Sequence, residues 1–338
     1  MKIDSIEIIS VNLEPHYPFI TSHSNYSKIS RLFLRICSGA DTVFSECAAL
    51  PDRSYFPESI QDARQTLESR LIPCIQGYDY TDIQDLSYKM NELVSGQPLS
   101  KACIEMGAWK LEAKKQQQEL WQQLGINQTR QIQKLPAMGI KESLEALSHS
   151  CQQLQKQGYR HLKVKIKPGN YLKWVETVVD RYPDIRFVLD ANESFTLDQA
   201  LSELTTLKGR YRYIEQPLNR NDWAGLSQLQ KTLNIPLCLD ESITCLDDIQ
   251  RMKREMSGRR VSLKPAKLGG FWPAIQCVNY CDKHRIPCHI GGLLESEIGR
   301  SYTQALAMHP RLDPISELCP ASHYWKTKVS EDLLKHMC

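Results

Sequence analysis

LKVKIK (162–167), FVLD (187–190), YIE (213–215), CLD (238–240) and VSLK (261–264) decide how this chain folds. Each is a short apolar run carrying a charged residue at or near its end. Lys165, Asp190, Glu215, Asp240 and Lys264 follow one another at intervals of 25, 25, 25 and 24 residues. Parallel strands joined by a helix recur at about this interval, because the crossover needs about a dozen residues or more. A charged residue closing five successive strands is the layout of one shared site. The chain reads as an enzyme.

Period-two alternation in LKVKIK sets Lys163, Lys165 and Lys167 on one strand face and Leu162, Val164 and Ile166 on the other. In a barrel the apolar face meets the helices, so the lysines point inward. Lys167, beside Pro168–Gly169, falls past the rim and carries no role. Further strand candidates are Leu135–Ile140, Ile185–Leu189, Tyr213–Ile214, Pro236–Leu239, Val261–Leu263, Pro287–Ile290 and a weak one near Pro314–Ile315. Amphipathic stretches separate most of them, and no GxGxxG turn is present. This pattern predicts an α/β barrel rather than a dinucleotide-binding sheet, with the chemistry at the C-terminal strand ends.

Before about residue 125 the pattern differs. Residues 1–34 alternate as strands do, residues 58–94 and 99–123 look helical, and Gln116–Gln123 reads as a solvated helix face. The first segment is an α+β module. We place the boundaries at 1–130, 131–312 and 313–338, the last segment returning toward the first.

With 42 Lys+Arg against 39 Asp+Glu and no block of like charge, a nucleic-acid partner is not expected. No apolar run approaches ~18 residues, so no membrane span is expected, and MKIDSIEIISVNL does not read as a signal peptide. The twelve cysteines contain no CxxC pair and read as buried small side chains in a reducing, cytoplasmic setting. The grouping of Cys277, Cys281, His284, Cys288 and His289 fits no standard zinc spacing.

Asp190, Glu215 and Asp240 come from adjacent strands, so their tips should converge. Three packed carboxylates repel unless a cation sits among them, and an all-oxygen set suits Mg²⁺, with Mn²⁺ as the alternative. Asn192, Glu193 and Glu241 are read as supporting or loop residues. Lys165 and Lys264 lie two strands to either side of Glu215 and should flank the metal from opposite sides. A neighbouring cation lowers a lysine's pKa, which suits a general base. A metal between two opposed bases is equipment for removing a proton next to a carboxylate, an arrangement that is a known worked case in the enolase superfamily.

These residues resemble the enolase superfamily in its muconate-lactonizing-like branch. KVK (Lys163, Lys165), DAN (Asp190–Asn192), IEQP (Glu215), LDES (Asp240) and LKP (Lys264) match in order and spacing. The resemblance covers nearly the whole chain and implies a (β/α)7β barrel behind an N-terminal α+β capping domain. EMGAWKLEAK (105–114), KVKIKPG (163–169), SLKPAKLGG (262–270) and GGLLESEIGR (291–300) are similar to the o-succinylbenzoate synthase and N-succinylamino acid racemase group. That similarity implies Mg²⁺-dependent syn-dehydration of 2-succinyl-6-hydroxy-2,4-cyclohexadiene-1-carboxylate through an enediolate, in menaquinone synthesis. Some members instead, or also, racemise N-acylamino acids.

By resemblance Lys165 is the acid/base on one face. Lys264 is the racemase's second base or a charge stabiliser in dehydration, and Lys163 supports Lys165 and the carboxylate. The substrate is a small carboxylate. Capping loops around Phe19–Tyr26 and Leu50–Tyr55 should close over the mouth, with Phe19, Leu50 and Tyr55 as an apolar wall. Gly291, Gly292 and Leu293 are further substrate contacts, the two glycines leaving N–H groups open for a succinyl carboxylate. Similar proteins often form dimers or larger rings, so a homo-oligomer is compatible with the resemblance.

One departure counts. Racemase members commonly carry arginine three residues after the sixth-strand lysine, and Lys267 stands there. This places the synthase reading first and the racemase second. A dipeptide epimerase ranks third, because Asp313–Glu317 lacks the DxD expected near the eighth strand. A barrel that has lost catalysis ranks last, since no charged site position is missing.

Overall fold

A computed structural model describes the chain except residues 17–18, 21–24 and 338, and only the backbone of residues 19–20 and 25–26. In chain order, β1 (Ser5–Leu13), β2 (Phe19–Ile20), β3 (Asn25–Tyr26), β4 (Ile29–Ser38) and β5 (Asp41–Cys47) come first. β1, β4 and β5 form an antiparallel sheet, and β2 pairs with β3. Then follow β6 (Gln133–Lys134), β7 (Ala137–Met138), β8 (His161–Lys165), β9 (Arg186–Asp190), β10 (Tyr211–Glu215), β11 (Leu237–Leu239), β12 (Arg260–Leu263), β13 (Cys288–Ile290) and β14 (Ile315–Ser316). β7 to β13 lie side by side in chain order, all parallel.

The strand β14 closes this sheet. It pairs with β6 on one side, while the Asp313 and Glu317 N–H groups donate to Cys288 (2.7 Å) and Ile290 (3.0 Å) of β13 on the other. β6 and β7 are one strand interrupted at Pro136, which has no N–H to give. A helix links each barrel strand to the next. The helix Tyr171–Arg181 shows why: Tyr171, Leu172, Val175, Val178 and Val179 repeat at helical spacing and are all buried. Leu162, Val164 and Ile166 belong to the same core, and Lys167 is exposed beyond it, near the Tyr171 ring.

Two helical readings needed revision. The stretch 58–94 is broken: the helix from Ile60 widens to a π-turn at Leu67–Leu71, ahead of Pro73, and a second helix spans Ile83–Leu93. The helix Pro98–Lys115 ends before Gln117, which adopts a left-handed φ of 53°, so the glutamine run is not one helical face.

Nearly all of Pro98–Ala108 is buried around its full circumference, because the helix is wedged between the antiparallel sheet and the barrel. Gly107 permits this; a Cβ there would collide with the Ile36 side chain. Two buried carboxylates fasten the module to barrel helices. Glu105 accepts the N–H groups of Phe271 (2.7 Å) and Trp272 (2.7 Å) and the Trp109 indole N–H (2.9 Å). Glu46 accepts the N–H groups of Ser296 (3.0 Å) and Gly299 (3.0 Å). Each satisfies otherwise orphaned donors at a helix start, where negative charge is favoured. The last segment meets the first module as well: Lys326 N–H donates to the Glu14 carbonyl (2.9 Å), and Lys110 pairs with Glu331 (2.6 Å). Among the described residues no helix is long and apolar enough to cross a membrane.

Glu105→Ala strands two buried N–H groups and should cost about 1–3 kcal/mol in urea unfolding. Burial pushes the Glu105 carboxyl up to about 7 against its three donors. A carboxyl raised in the folded state takes up a proton on folding, so wild-type stability gains as pH falls through that value. The cost of Glu105→Ala should therefore grow from about pH 8 to about pH 5; a pH-independent difference would refute the buried titration.

Candidate active site

Val188, Tyr213 and Cys238 each lie two residues before an acidic strand end and, with Leu135 and Ile315, form an inner cluster separate from the helix-packed core. The pleat therefore puts Asp190, Glu215 and Asp240 on the inner face as well. Lys165, Asp190 and Glu215 stand side by side in register. β11 is staggered: Glu215 pairs with Cys238, so Asp240 sits two residues nearer the mouth. β12 steps again, since Leu239 pairs with Val261. The charged ends thus climb a staircase, the stagger that closing a barrel requires.

Lys163 lies at the centre of the lower steps. Its Nζ is 3.1 Å from Asp190, 2.7 Å from Glu215 and 2.6 Å from Glu317, all buried. Lys165 reaches Asp190 (3.2 Å) and donates to Asn192 Oδ1. On the other side Lys264 Nζ is 2.7 Å from Asp240 Oδ2 and 2.7 Å from the Tyr55 hydroxyl, and Lys267 Nζ is 2.8 Å from Asp240 Oδ1. Burial alone would lower the Lys264 ammonium, yet Asp240 and Glu317 outweigh it and raise its pKa. The carboxylates around Lys264 count for more than the neighbouring lysines; the expected lowering is that of a lysine beside a bound cation. Burial also raises Asp240, but Lys264 and Lys267 reverse this and hold it low. Glu215 goes the other way, pushed up by burial beyond what Lys163 offsets.

A divalent cation is tested by what these donors still lack. Glu215 Oε2 is buried without a hydrogen-bond partner, as is Glu241 Oε2, and burial with Asp240 nearby pushes Glu241 up to about 7. Uncompensated carboxylate oxygens facing a closed, acidic interior fit an added positive charge. Among the described residues, the ligand atoms found within 4.8 Å of one another belong to Glu215, Cys238 and His289. Asp190 and Asp240 lean onto lysines, and gathering all three carboxylates on one ion requires those ammonium groups to shift. The oxygen set is the better fit for Mg²⁺, because burial holds the Cys238 thiol well above its ordinary range. Of the Cys277–His289 grouping only His289 belongs to such a cluster, and no disulfide occurs among the described cysteines.

Tyr55 does more than line a wall. Its hydroxyl donates to Asp240 (3.0 Å), and its ring faces Lys264 Nζ at 4.7 Å. Arg220 secures this loop, donating to the Tyr55 carbonyl (2.7 Å) while paired with Glu193. Leu50 is half-buried against the barrel core. The Phe19 side chain lies outside the described residues. Asn192 links Lys165 to Glu241 Oε1 (3.0 Å). Gly291 departs from expectation: its N–H is not open but donates to the Leu263 carbonyl (2.9 Å), because β13 pairing runs on through it. Glycine is needed there since a Cβ would press on Lys264 Cε at 2.7 Å. At Gly292 a Cβ would meet the Glu317 carbonyl at 3.1 Å. Leu293 is buried in the capping core, and its carbonyl accepts from Arg31 (2.7 Å). The sequence reading missed Glu317 as a site residue. Continuing the alternation from Ile315 by one step on the weak eighth strand would have found it.

The family model described as "Enolase C-terminal domain-like" matches residues 146–337, and that of the "Mandelate racemase / muconate lactonizing enzyme, N-terminal domain" matches residues 4–125. The chain is 30% identical over 337 residues to an N-succinylamino acid racemase from Thermus thermophilus, covering 99% of this chain and 90% of the relative. It is equally, 30%, identical over 330 residues to an o-succinylbenzoate synthase from Enterococcus faecalis, covering 96% and 88%. A solved enolase-superfamily protein from Enterococcus faecalis superposes with a TM-score of 0.89 at 29% identity, over 97% of this chain and 89% of that one.

Lys163→Met would leave Asp190, Glu215 and Glu317 facing one another. Urea unfolding without added metal should show a loss of about 3–5 kcal/mol, as for removing one partner of a buried ion pair. Glu317→Gln on that background should restore part of it; an unchanged midpoint would sink this reading of Lys163.

Proposed function

The chain belongs to the enolase superfamily, and on that premise we propose that it is an o-succinylbenzoate synthase. It would dehydrate 2-succinyl-6-hydroxy-2,4-cyclohexadiene-1-carboxylate in menaquinone synthesis. The observation that carries this reading is the unequal setting of the two flanking lysines. Lys264 shares Asp240 with Lys267 and Tyr55, which suits a fixed cation. Lys165 stands across the site on β8, beside Asp190 and Asn192. Dehydration needs one base and one fixed charge, whereas racemisation needs a base on each face.

In this reading Asp190, Glu215 and Asp240 hold Mg²⁺, which when bound polarises the substrate carboxylate. Lys165 Nζ takes the proton from the carbon next to that carboxylate. The same ammonium returns it to the departing hydroxyl on the same face, so water leaves and the ring becomes aromatic. Lys264 balances the negative charge that builds on the carboxylate. Lys163 keeps Glu215 and Asp190 apart, and Asn192 aims Lys165. Tyr55, held by Arg220, excludes water from the Asp240 side.

N-succinylamino acid racemase is the second reading, favoured by the Thermus thermophilus relative and by the presence of two lysines on facing strands.

Turnover of the cyclohexadiene substrate, followed by ultraviolet absorbance, should require Mg²⁺ and stop with EDTA. Lys165→Ala should lower kcat by at least about 10²–10⁴-fold. If N-succinylamino acids racemise while the cyclohexadiene is untouched, the second reading replaces the first. Saturating Mg²⁺, at about a hundredfold over Kd, should stabilise the fold by about 2.7 kcal/mol, and Glu215→Gln should remove most of that.

A further inference from the structure

Between β5 and the helix from Ile60, residues 51–57 form a loop that reaches from the capping module to the barrel. Its base is closed where the Ile60 N–H donates to the Leu50 carbonyl (2.7 Å), and Phe56 anchors it in the capping core. Tyr55 carries the loop onto the barrel. Its hydroxyl rests on Asp240 (3.0 Å), its ring faces Lys264 and Lys267 Nζ at 4.7 and 5.7 Å, and its carbonyl accepts from Arg220 Nη1 (2.7 Å).

An arginine on a surface loop is ordinarily a mobile, solvated charge. Arg220 is fixed instead at backbone and side chain. Its N–H donates to Glu193 Oε1 (2.6 Å), its carbonyl accepts from the Ser242 hydroxyl (2.9 Å), and Nε (2.9 Å) and Nη2 fork onto the Glu193 carboxylate. A bidentate pair of this kind fixes direction as well as distance.

Glu193 lies in an uncommon stretch of backbone. Asn192 and Glu193 are consecutive left-handed residues, φ 43° and 62°. Residues with a Cβ adopt that conformation in succession only where surrounding contacts hold them. Here the Glu193 N–H donates to the Gln216 carbonyl (2.8 Å), and Arg220 holds its side chain. The turn presents Asn192 to the interior, where Oδ1 accepts from Lys165 Nζ and Nδ2 donates to Glu241 Oε1 (3.0 Å). One guanidinium therefore touches the loop with Nη1 and braces the turn beside Lys165 with its other two nitrogens.

We propose that Arg220 and Glu193 are a positioning pair that couples closure of the 51–57 loop to the aim of Lys165. When the loop lifts to admit a substrate, the Nη1 bond to Tyr55 breaks. When it settles, that bond re-forms on the guanidinium that keeps the Asn192–Glu193 turn left-handed, so loop and base are set together. Only the kinetic part of this proposal rests on Lys165 being the base.

Trypsin cleavage after Arg53, which is exposed in the loop, reads closure without substrate or metal. Arg220→Gln and Glu193→Gln should each speed release of fragment 1–53 about tenfold, the order of one lost charge-assisted hydrogen bond, while still melting cooperatively. The double variant should be no faster than either single one, since both break the same pair. With whichever of the two substrates the wild type turns over, each variant should lower kcat about tenfold as well as raise KM, and Arg220→Lys should recover part of both. Unchanged cleavage, single effects that multiply in the double variant, or a raised KM with kcat untouched would each overturn the coupling. A wild type that turns over neither substrate would remove the proposed function instead, and the cleavage rates would still decide whether Arg220 holds the loop.

Discussion

The rest of this structure depends on charge compensation inside a closed barrel. Asp190, Glu215, Asp240, Glu241 and Glu317 are buried together with Lys163, Lys165, Lys264 and Lys267, five carboxylates against four ammonium groups. In a medium of low dielectric such a set is costly wherever a charge lacks an opposite one at hydrogen-bond distance. Lys163 meets three at once. Glu215 Oε2 is left bare, and that oxygen offers a place for an added positive charge. Stability and chemistry therefore draw on the same residues.

The capping module completes that interior and is itself held by buried carboxylates. Glu46 and Glu105 each receive the first N–H groups of a barrel helix, and Arg31 reaches across to the Leu293 and Leu294 carbonyls. Polar contacts of this kind are directional, so they set the angle at which module and barrel meet. That angle delivers Tyr55 to Asp240. Arg220, gripped by Glu193, then holds the Tyr55 backbone over the barrel mouth.

The family membership and the proposed reaction rest on different parts of the molecule. The proposed reaction assigns proton removal next to a carboxylate to the strand ends. In that proposal the choice of substrate is assigned to groups beside them, such as Tyr55 and Lys267. Relatives with the two activities are equally similar to this chain, which is what a shared set of strand ends with different surroundings would produce.

The sequence by itself determined the barrel, because the 24- and 25-residue recurrence and the period-two alternation are both local. It also singled out Lys163, Lys165, Asp190, Glu215, Asp240 and Lys264, since a charge at the end of an apolar strand has few places to go. Tertiary structure alone decided how those charges pair. The stagger of β11 and β12 depends on closing the ring, so it could not be read from spacing; it hands Asp240 to Lys264 and Lys267 rather than to Lys163. Glu317 joined the site only because β14 closes the ring between β13 and β6, a contact about 180 residues apart in sequence. Gly291 looked like an open N–H donor, and continued pairing with β12 consumed it. Tyr55 reached Asp240 across 185 positions of chain. Local pattern specifies which face a side chain takes; which partner it meets there depends on how distant segments pack.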